Sequence, residues 1–159
     1  MKSVVFYATR SGNTRRVAEA IADGLRSAGS AEAISVDEGP AAIREGADLM
    51  VVGGPTEGHR MTDAVVRFLD STSSMVATRA AAAFDTRVNW PRLLSGAAAD
   101  GIAQRLRSMG ARLVLPPESF IVSIKPELLP GELERARTWG ASLAAEVQRG
   151  ILTTPGAAG

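Results

Sequence analysis

The run Thr9-Arg10-Ser11-Gly12-Asn13-Thr14 places three hydroxyls, a carboxamide, a guanidinium and a glycine in six consecutive residues. Such a set can hold an anion by hydrogen bonds without a metal, and Gly12 lets the backbone come close to it. If a helix begins here, its unpaired first N–H groups and the positive end of its dipole converge on the same spot, a seat suited to phosphate. One hydroxyl is enough to cap a helix, so Ser11 or Thr14 alone would be ordinary capping; three hydroxyls around one glycine exceed that need. No Gly-Lys-Ser or Gly-Lys-Thr follows and no Gly-x-Gly-x-x-Gly is present in the run, so neither of the common nucleotide loops applies.

Two further segments carry unusual residues. Gly53-Gly54-Pro55-Thr56-Glu57-Gly58-His59 has the composition of a strand-ending turn, and on its own residues it reads as no more than that. His59 faces either a ligand or solvent, and the residues leave both open. In Asp85-Thr86-Arg87-Val88-Asn89-Trp90-Pro91, the indole of Trp90 either stacks on a planar ligand or packs the loop onto the body, and packing is the expected role. Cysteine is absent, which excludes a disulfide framework, a thiolate nucleophile and an iron–sulfur cluster, and a single histidine excludes a histidine-rich metal site. Any redox chemistry must therefore come from an organic cofactor.

The elements that position these loops follow from hydrophobic period. Val4 to Ala8 is a short β-prone apolar run, and from Thr14 the period changes, with Val17, Ile21 and Leu25 forming the stripe of an amphipathic helix that closes near Gly29. The unit repeats: a strand over 33–36, a short helix over 40–45, and a buried strand over 48–53 ending in Gly54-Pro55. A helix from about Thr62 turns Val65, Val66 and Leu69 inward. Ala80 to Phe84 is a strand by its place in the rhythm despite the poor β-propensity of alanine. A helix over 96–108 carries Ile102, Leu106 and Met109 on one face; strand character resumes over 112–115, Pro116-Pro117 interrupts it, and Phe120 to Val122 extends that edge. Pro130 opens the last helix, whose stripe is Leu133, Ala136, Gly140, Leu143 and Val147, and Trp139 on it is expected to be structural.

Strands alternating with helices require an α/β fold: a doubly wound sheet of five parallel strands with helices on both faces, over a single domain of residues 1–150. Residues 151–159 form an expected flexible tail, frayed from Thr153. Ligands in such sheets bind at the carboxyl ends of the strands where strand order reverses, which selects residues 9–14, 54–61 and 85–95.

The seventeen residues from Val5 to Ile21 resemble the signature of the flavodoxin family, which runs from the end of the first strand through the first helix. The resemblance implies flavin mononucleotide (FMN), with Thr9, Ser11, Asn13 and Thr14 around its phosphate and Arg10 and Gly12 completing that loop. It further implies that Pro55, Thr56, Glu57, Gly58 and His59 lie against the isoalloxazine ring, Gly58 turning a carbonyl toward flavin N5, and that Asp85, Thr86, Arg87 and Trp90 form the third contact. The chain departs from the family in that third loop, which lacks the usual glycines and stacking tyrosine, and in the second, which lacks a tryptophan. The fifth strand lacks a long insertion, so the resemblance is to the short-chain type.

Typical electron-carrying members are acidic, whereas 18 basic and 17 acidic residues leave this chain at +1, with Arg10, Arg15, Arg16, His59, Arg60 and Arg87 in or beside the site. Such positive charge is expected to favour the reduced flavin anion. The resemblance thus implies electron transfer with a redox partner protein, a reductase or an acceptor enzyme, and no catalytic side chain. Two alternatives stand beside it: a flavin oxidoreductase acting on a porphyrinogen or quinone, or a flavin-free scaffold that keeps the fold. Neither charge nor composition suggests nucleic acid or a membrane segment, and the cytoplasm is the expected compartment.

Overall fold

The structure, a computed structural model, describes residues 1–153. Its strands are β1 (Lys2–Tyr7), β2 (Ser30–Ser35), β3 (Leu49–Pro55), β4 (Ala80–Val88), β5 (Arg112–Leu113) and β6 (Glu118–Val122). All pair in parallel in the order β2-β1-β3-β4-β5, with β6 also on β4. β5 and β6 are two pieces of one fifth strand: β5 pairs with Ala80 and Ala81 at the start of β4, and β6 with Phe84 to Val88 at its end. Pro116 and Pro117 fall in the gap between them, where neither has an N–H to give to the ladder. The reversal of strand order lies between β1 and β3.

The helices are α1 (Asn13–Leu25), α2 (Ala41–Arg44), α3 (Asp63–Thr72), α4 (Arg92–Ser95), α5 (Ala98–Ser108) and α6 (Glu132–Thr153). Alternation along each strand divides the core in two. Val5, Leu49, Val51, Ala82 and Phe84 face α1 and α6, meeting Val17, Ile21, Leu25, Leu143 and Val147. Val4, Phe6, Met50, Val52 and Ala83 face the other way, onto Val65, Phe68 and Leu69 of α3 and Ile102 and Leu106 of α5. Trp139 is buried and packs edge-on to Phe120 with ring centroids 6.1 Å apart, the structural role expected of it.

Alanines form β4 because it is central and covered on both faces, so packing overrides propensity. Phe84 fills the space above its register partner Gly53, where an added Cβ would lie 2.2 Å from the ring. α1 and α6 cross backbone to backbone: a Cβ on Gly24 would lie 2.0 Å from the Arg137 carbonyl oxygen, and one on Gly140 would lie 2.2 Å from that of Ile21.

Several boundaries differ from the sequence reading. β2 begins at Ser30, because β1 pairs with it from Lys2 onward. β4 runs on to Val88, held by β3 on one side and β6 on the other, so Asp85, Thr86 and Arg87 are strand residues rather than loop. A separate turn of helix, α4, precedes α5. Phe68 joins the inward face of α3, while Val66, Met109 and Leu133 are only partly buried. α6 continues through Thr153, and the rest of the expected tail lies outside the described residues.

Candidate functional site

The carboxyl ends of β1, β3, β4 and β6 surround a cavity of about 250 Å³. Arg10, Ser11 and Asn13 line it from the opening of α1, Pro55, Thr56 and Glu57 from the end of β3 and the turn after it, and Thr86 and Arg87 from the last residues of β4. A neighbouring cleft of about 260 Å³ shares Arg10, Pro55 and Glu57 and adds Thr9. Either alone is smaller than the ~300–1,000 Å³ usual for small-molecule sites, and the two together fall within that range.

Gly12 sets the geometry of the first loop. It takes φ +90° at the N-cap of α1, a conformation that glycine adopts without strain, and its N–H donates to Thr9 Oγ1 at 3.0 Å. No side chain caps α1, and the N–H groups of Asn13, Thr14 and Arg15 have no partner among the described residues. No acidic residue occupies the first turn, so the positive end of the helix dipole is uncompensated. Asn13 is buried; its side-chain amide donates to Ser11 Oγ at 3.2 Å and to the Pro126 carbonyl at 2.5 Å. Thr14 is also buried, sharing a hydrogen bond with Thr86 Oγ1 at 2.8 Å that ties the first loop to β4.

The second loop is braced from below. Thr56 Oγ1 donates to Asp85 Oδ2 at 3.0 Å and accepts the Ala98 N–H at 2.8 Å, while the Ala99 N–H donates to the same carboxylate oxygen at 2.9 Å. Asp85, fully buried, therefore serves as the cap that α5 lacks in its own sequence. Burial raises the pKa of this carboxyl; the N–H of Ala99, the hydroxyls of Ser119 and Thr56 and the charge of Arg87 pull the other way without overcoming it. Ser119 is the register partner of Asp85, close enough to favour its charge, yet Oδ1 has no partner in hydrogen-bond geometry.

Not every expected site residue reaches the cavity. Asp85 lies beneath it and Thr14 behind it. Gly58 and His59 are exposed at the tip of the second loop, both with positive φ, and His59 bridges to Gly96. Arg87 lines the wall, but its Nη1 is spent on the carbonyl of Trp90 at 2.8 Å and on Ser95 Oγ at 3.1 Å, while its buried Nε has no partner. These bonds hold the 88–95 segment by the Trp90 carbonyl and the Ser95 hydroxyl, without using the indole, and Trp90 is 53% exposed rather than packing the loop down as expected. The positive field is weaker than the sequence suggests: Arg10 pairs with Glu57 at 3.3 Å and Arg15 with Glu19 at 2.9 Å.

Val88 lines the cavity from within the selected 85–95 segment, where it had been given no role, and two lining residues, Val122 and Pro126, escaped the sequence reading. The rule that picked the other loops applies equally to the connection after β6, and Lys125-Pro126 was the available signal there. Among the described residues no cluster of histidine and carboxylates could hold a metal, and no helix is long and apolar enough to cross a membrane.

The fold and the site define a class, and comparison with known proteins gives the same one. The flavodoxin family profile matches residues 5–139. Among solved structures, a flavodoxin from the domain Archaea is 27% identical over 93% of this chain and 99% of its own, with a TM-score of 0.75. Oxidised Flavodoxin 1 from Bacillus cereus is 27% identical over 94% and 98%, with a TM-score of 0.74. A flavodiiron protein from Giardia intestinalis, 20% identical with a TM-score of 0.77, shares the fold over 93% of this chain but only 36% of its own. No curated protein matches. The chain belongs to the flavodoxin family, whose members are flavin-binding electron-transfer proteins.

Proposed function

We propose that this chain binds FMN and exchanges electrons with a redox partner protein. The observation that carries this reading is the uncapped first turn of α1, whose free N–H groups and dipole meet at an open glycine beside the cavity. A phosphate there is held by the free N–H groups of Asn13, Thr14 and Arg15 and the hydroxyl of Ser11, with Thr9 adjoining. Open space at Gly12 supports the fit, since a Cβ there would meet nothing within 4 Å. The rest of the flavin is bounded by Pro55, Thr56 and Glu57 on one side and by Thr86, Val88 and Val122 on the other. Val88 and Val122 offer apolar area where the third loop lacks a stacking tyrosine.

When bound, the flavin supplies the electron chemistry for which this chain has no side chain. The protein's own part is to orient the cofactor and limit water. Asp85 and Thr56 lock the second loop to α5, and the Thr14–Thr86 bond locks the phosphate loop to β4.

The test is a visible spectrum of the purified protein followed by FMN titration of Ser11→Ala and Thr14→Ala against the parent. Loss of one hydrogen bond to a charged phosphate, worth ~1.5–3 kcal/mol, lowers affinity about tenfold to a hundredfold for Ser11→Ala, with only a small drop in melting temperature, because Ser11 is exposed and the Asn13 amide that loses Ser11 Oγ keeps the Pro126 carbonyl. Thr14→Ala lowers both affinity and stability, since it also breaks a buried pair. Undiminished affinity in both variants would place the phosphate elsewhere.

A further inference from the structure

Asp85 is the only buried carboxyl among the described residues, and a single hydroxyl joins it to the cavity. Thr56, whose Oγ1 donates to Asp85 Oδ2 at 3.0 Å, lines the cavity, and so does Thr86, the next residue of β4. The two oxygens of the carboxyl are not equivalent. Oδ2 accepts both donors, Thr56 Oγ1 and the Ala99 N–H, whereas Oδ1 is buried without a partner. Capping α5 and bracing the second loop therefore use Oδ2 alone, and a carboxamide would do both at lower cost in a buried place. The second oxygen has no structural task.

The elements packed around Asp85 leave its charge weakly compensated. Arg87, two residues on along β4, acts on it, but Arg87 Nη1 is committed to Trp90 and Ser95. Glu118 of β6 pairs with Arg135 at 3.0 Å, Arg92 of α4 with Asp100 of α5 at 3.6 Å, and Glu57 beyond β3 with Arg10 at 3.3 Å. Gly54, the register partner on β3, brings no charge, and Ser119, the partner on β6, brings a hydroxyl. Burial already favours the neutral acid, and a negative charge entering the cavity favours it further.

We propose that Asp85 is a redox-linked proton acceptor: when an electron enters a flavin held in the cavity, Oδ1 takes up a proton from solvent. The proposal rests on the flavin reading. The electron comes from an external one-electron donor and stays on the flavin. The new O–H bond is made from a lone pair of Oδ1 and a solvent proton, no bond of the protein breaks, and the Oγ of Ser119 is the acceptor at hand for the new hydroxyl. The carboxyl becomes neutral as the cavity gains a negative charge, so two like charges are never buried side by side.

The sign and the window follow. Below the pKa that the carboxyl has beside oxidised flavin, it is protonated before and after reduction. Above the higher pKa it has beside reduced flavin, it is ionised in both. Between the two, each electron brings a proton, and reduction becomes about tenfold less favourable per pH unit, ~59 mV for a one-electron couple, in addition to any protonation of the flavin itself.

The experiment uses the full chain loaded with FMN and reduced electrochemically through a viologen mediator, which donates electrons without protons. Proton uptake is read with an indicator dye in weak buffer, and potentials are recorded from about pH 5 to about pH 8. Within the window the parent is expected to take up as much as about one more proton per flavin than Asp85→Asn, with a potential that falls correspondingly more steeply with pH. Glu32→Gln, an equal loss of charge on the exposed edge of β2, is expected to match the parent. A measurement on the parent alone covers a variant that fails to fold: with isotope-labelled aspartate, the reduced-minus-oxidised infrared spectrum is expected to gain a protonated-carboxyl band that moves with the label. Flavin that binds and is reduced with equal proton counts in parent and Asp85→Asn, or without a label-sensitive carboxyl band, overturns this proposal and leaves the flavin reading standing. A chain that retains no FMN overturns both.

Discussion

Asparagine in place of Asp85 is expected to stabilise the protein at neutral and alkaline pH. The carboxyl is fully buried, two donors use Oδ2, and Oδ1 has no partner. Burial raises its pKa above the ordinary 3.8, against the opposing pull of Ala99, Ser119, Thr56 and Arg87. The sign follows. Below the unfolded value both states are protonated and the group's contribution is fully present; as pH rises through the higher folded value, the folded state must ionise a buried group and that contribution is lost. The carboxamide introduced by Asp85→Asn would keep the acceptor for Thr56 and Ala99 and turn an N–H₂ toward Ser119. An unsatisfied buried polar atom costs ~1–3 kcal/mol, so recovering part of it gives about 1–2 kcal/mol, or about 2–8 °C in Tm for a domain of this size. The assay is a thermal melt of parent and variant at about pH 5 and about pH 8, where the gain at the higher pH shrinks toward the lower. An equal loss of Tm at both pH values would refute the reasoning, since it would mean that the charge on the carboxylate, facing the start of α5, stabilises the fold more than its burial costs.

Glu132 titrates in the opposite sense. Burial pushes its pKa up, but hydrogen bonds from Arg135 and the Ile121 N–H and the charge of Arg135 outweigh it, leaving the pKa below 4.5. Its contribution is therefore present above that value and lost as pH falls, and Glu132→Gln is expected to cost about 1–2 kcal/mol at neutral pH and to flatten the acid limb of the stability curve, as read by urea unfolding across pH. Gly140→Ala forces a methyl group against the Ile21 carbonyl at the crossing of α1 and α6. Overpacking of ~1–3 kcal/mol outweighs the ~1 kcal/mol of helix propensity gained, so urea unfolding is expected to show a net loss; a more stable variant would contradict the close crossing.

The sequence disclosed most of the fold because two periods alternate along it. Val17, Ile21 and Leu25 mark a helix, and the apolar stretches at 4–8 and 48–53 mark strands flanked by crossovers, which together require a parallel sheet. Boundaries set by pairing were not legible: β4 continues to Val88 only because β3 and β6 extend beside it. The loop over residues 9–14 at the start of α1 was legible because its hydroxyls and glycine are contiguous. The cavity walls were not, since Val122 and Pro126 join the site only through the register of β6 on β4 and the return of the chain after it. Nor did composition show that Asp85 lies under the site as a strut, or that the bonds of Arg87 to the 90–95 turn do without the indole of Trp90.

The central claim is that a phosphate sits at the opening of α1. It is tested most directly by titrating the purified apoprotein in parallel with FMN and with riboflavin, following flavin fluorescence. A phosphate held by charge-assisted hydrogen bonds to several backbone N–H groups predicts that FMN binds at least about a hundredfold more tightly. Equal affinity for the two flavins, or no binding of either, would contradict it.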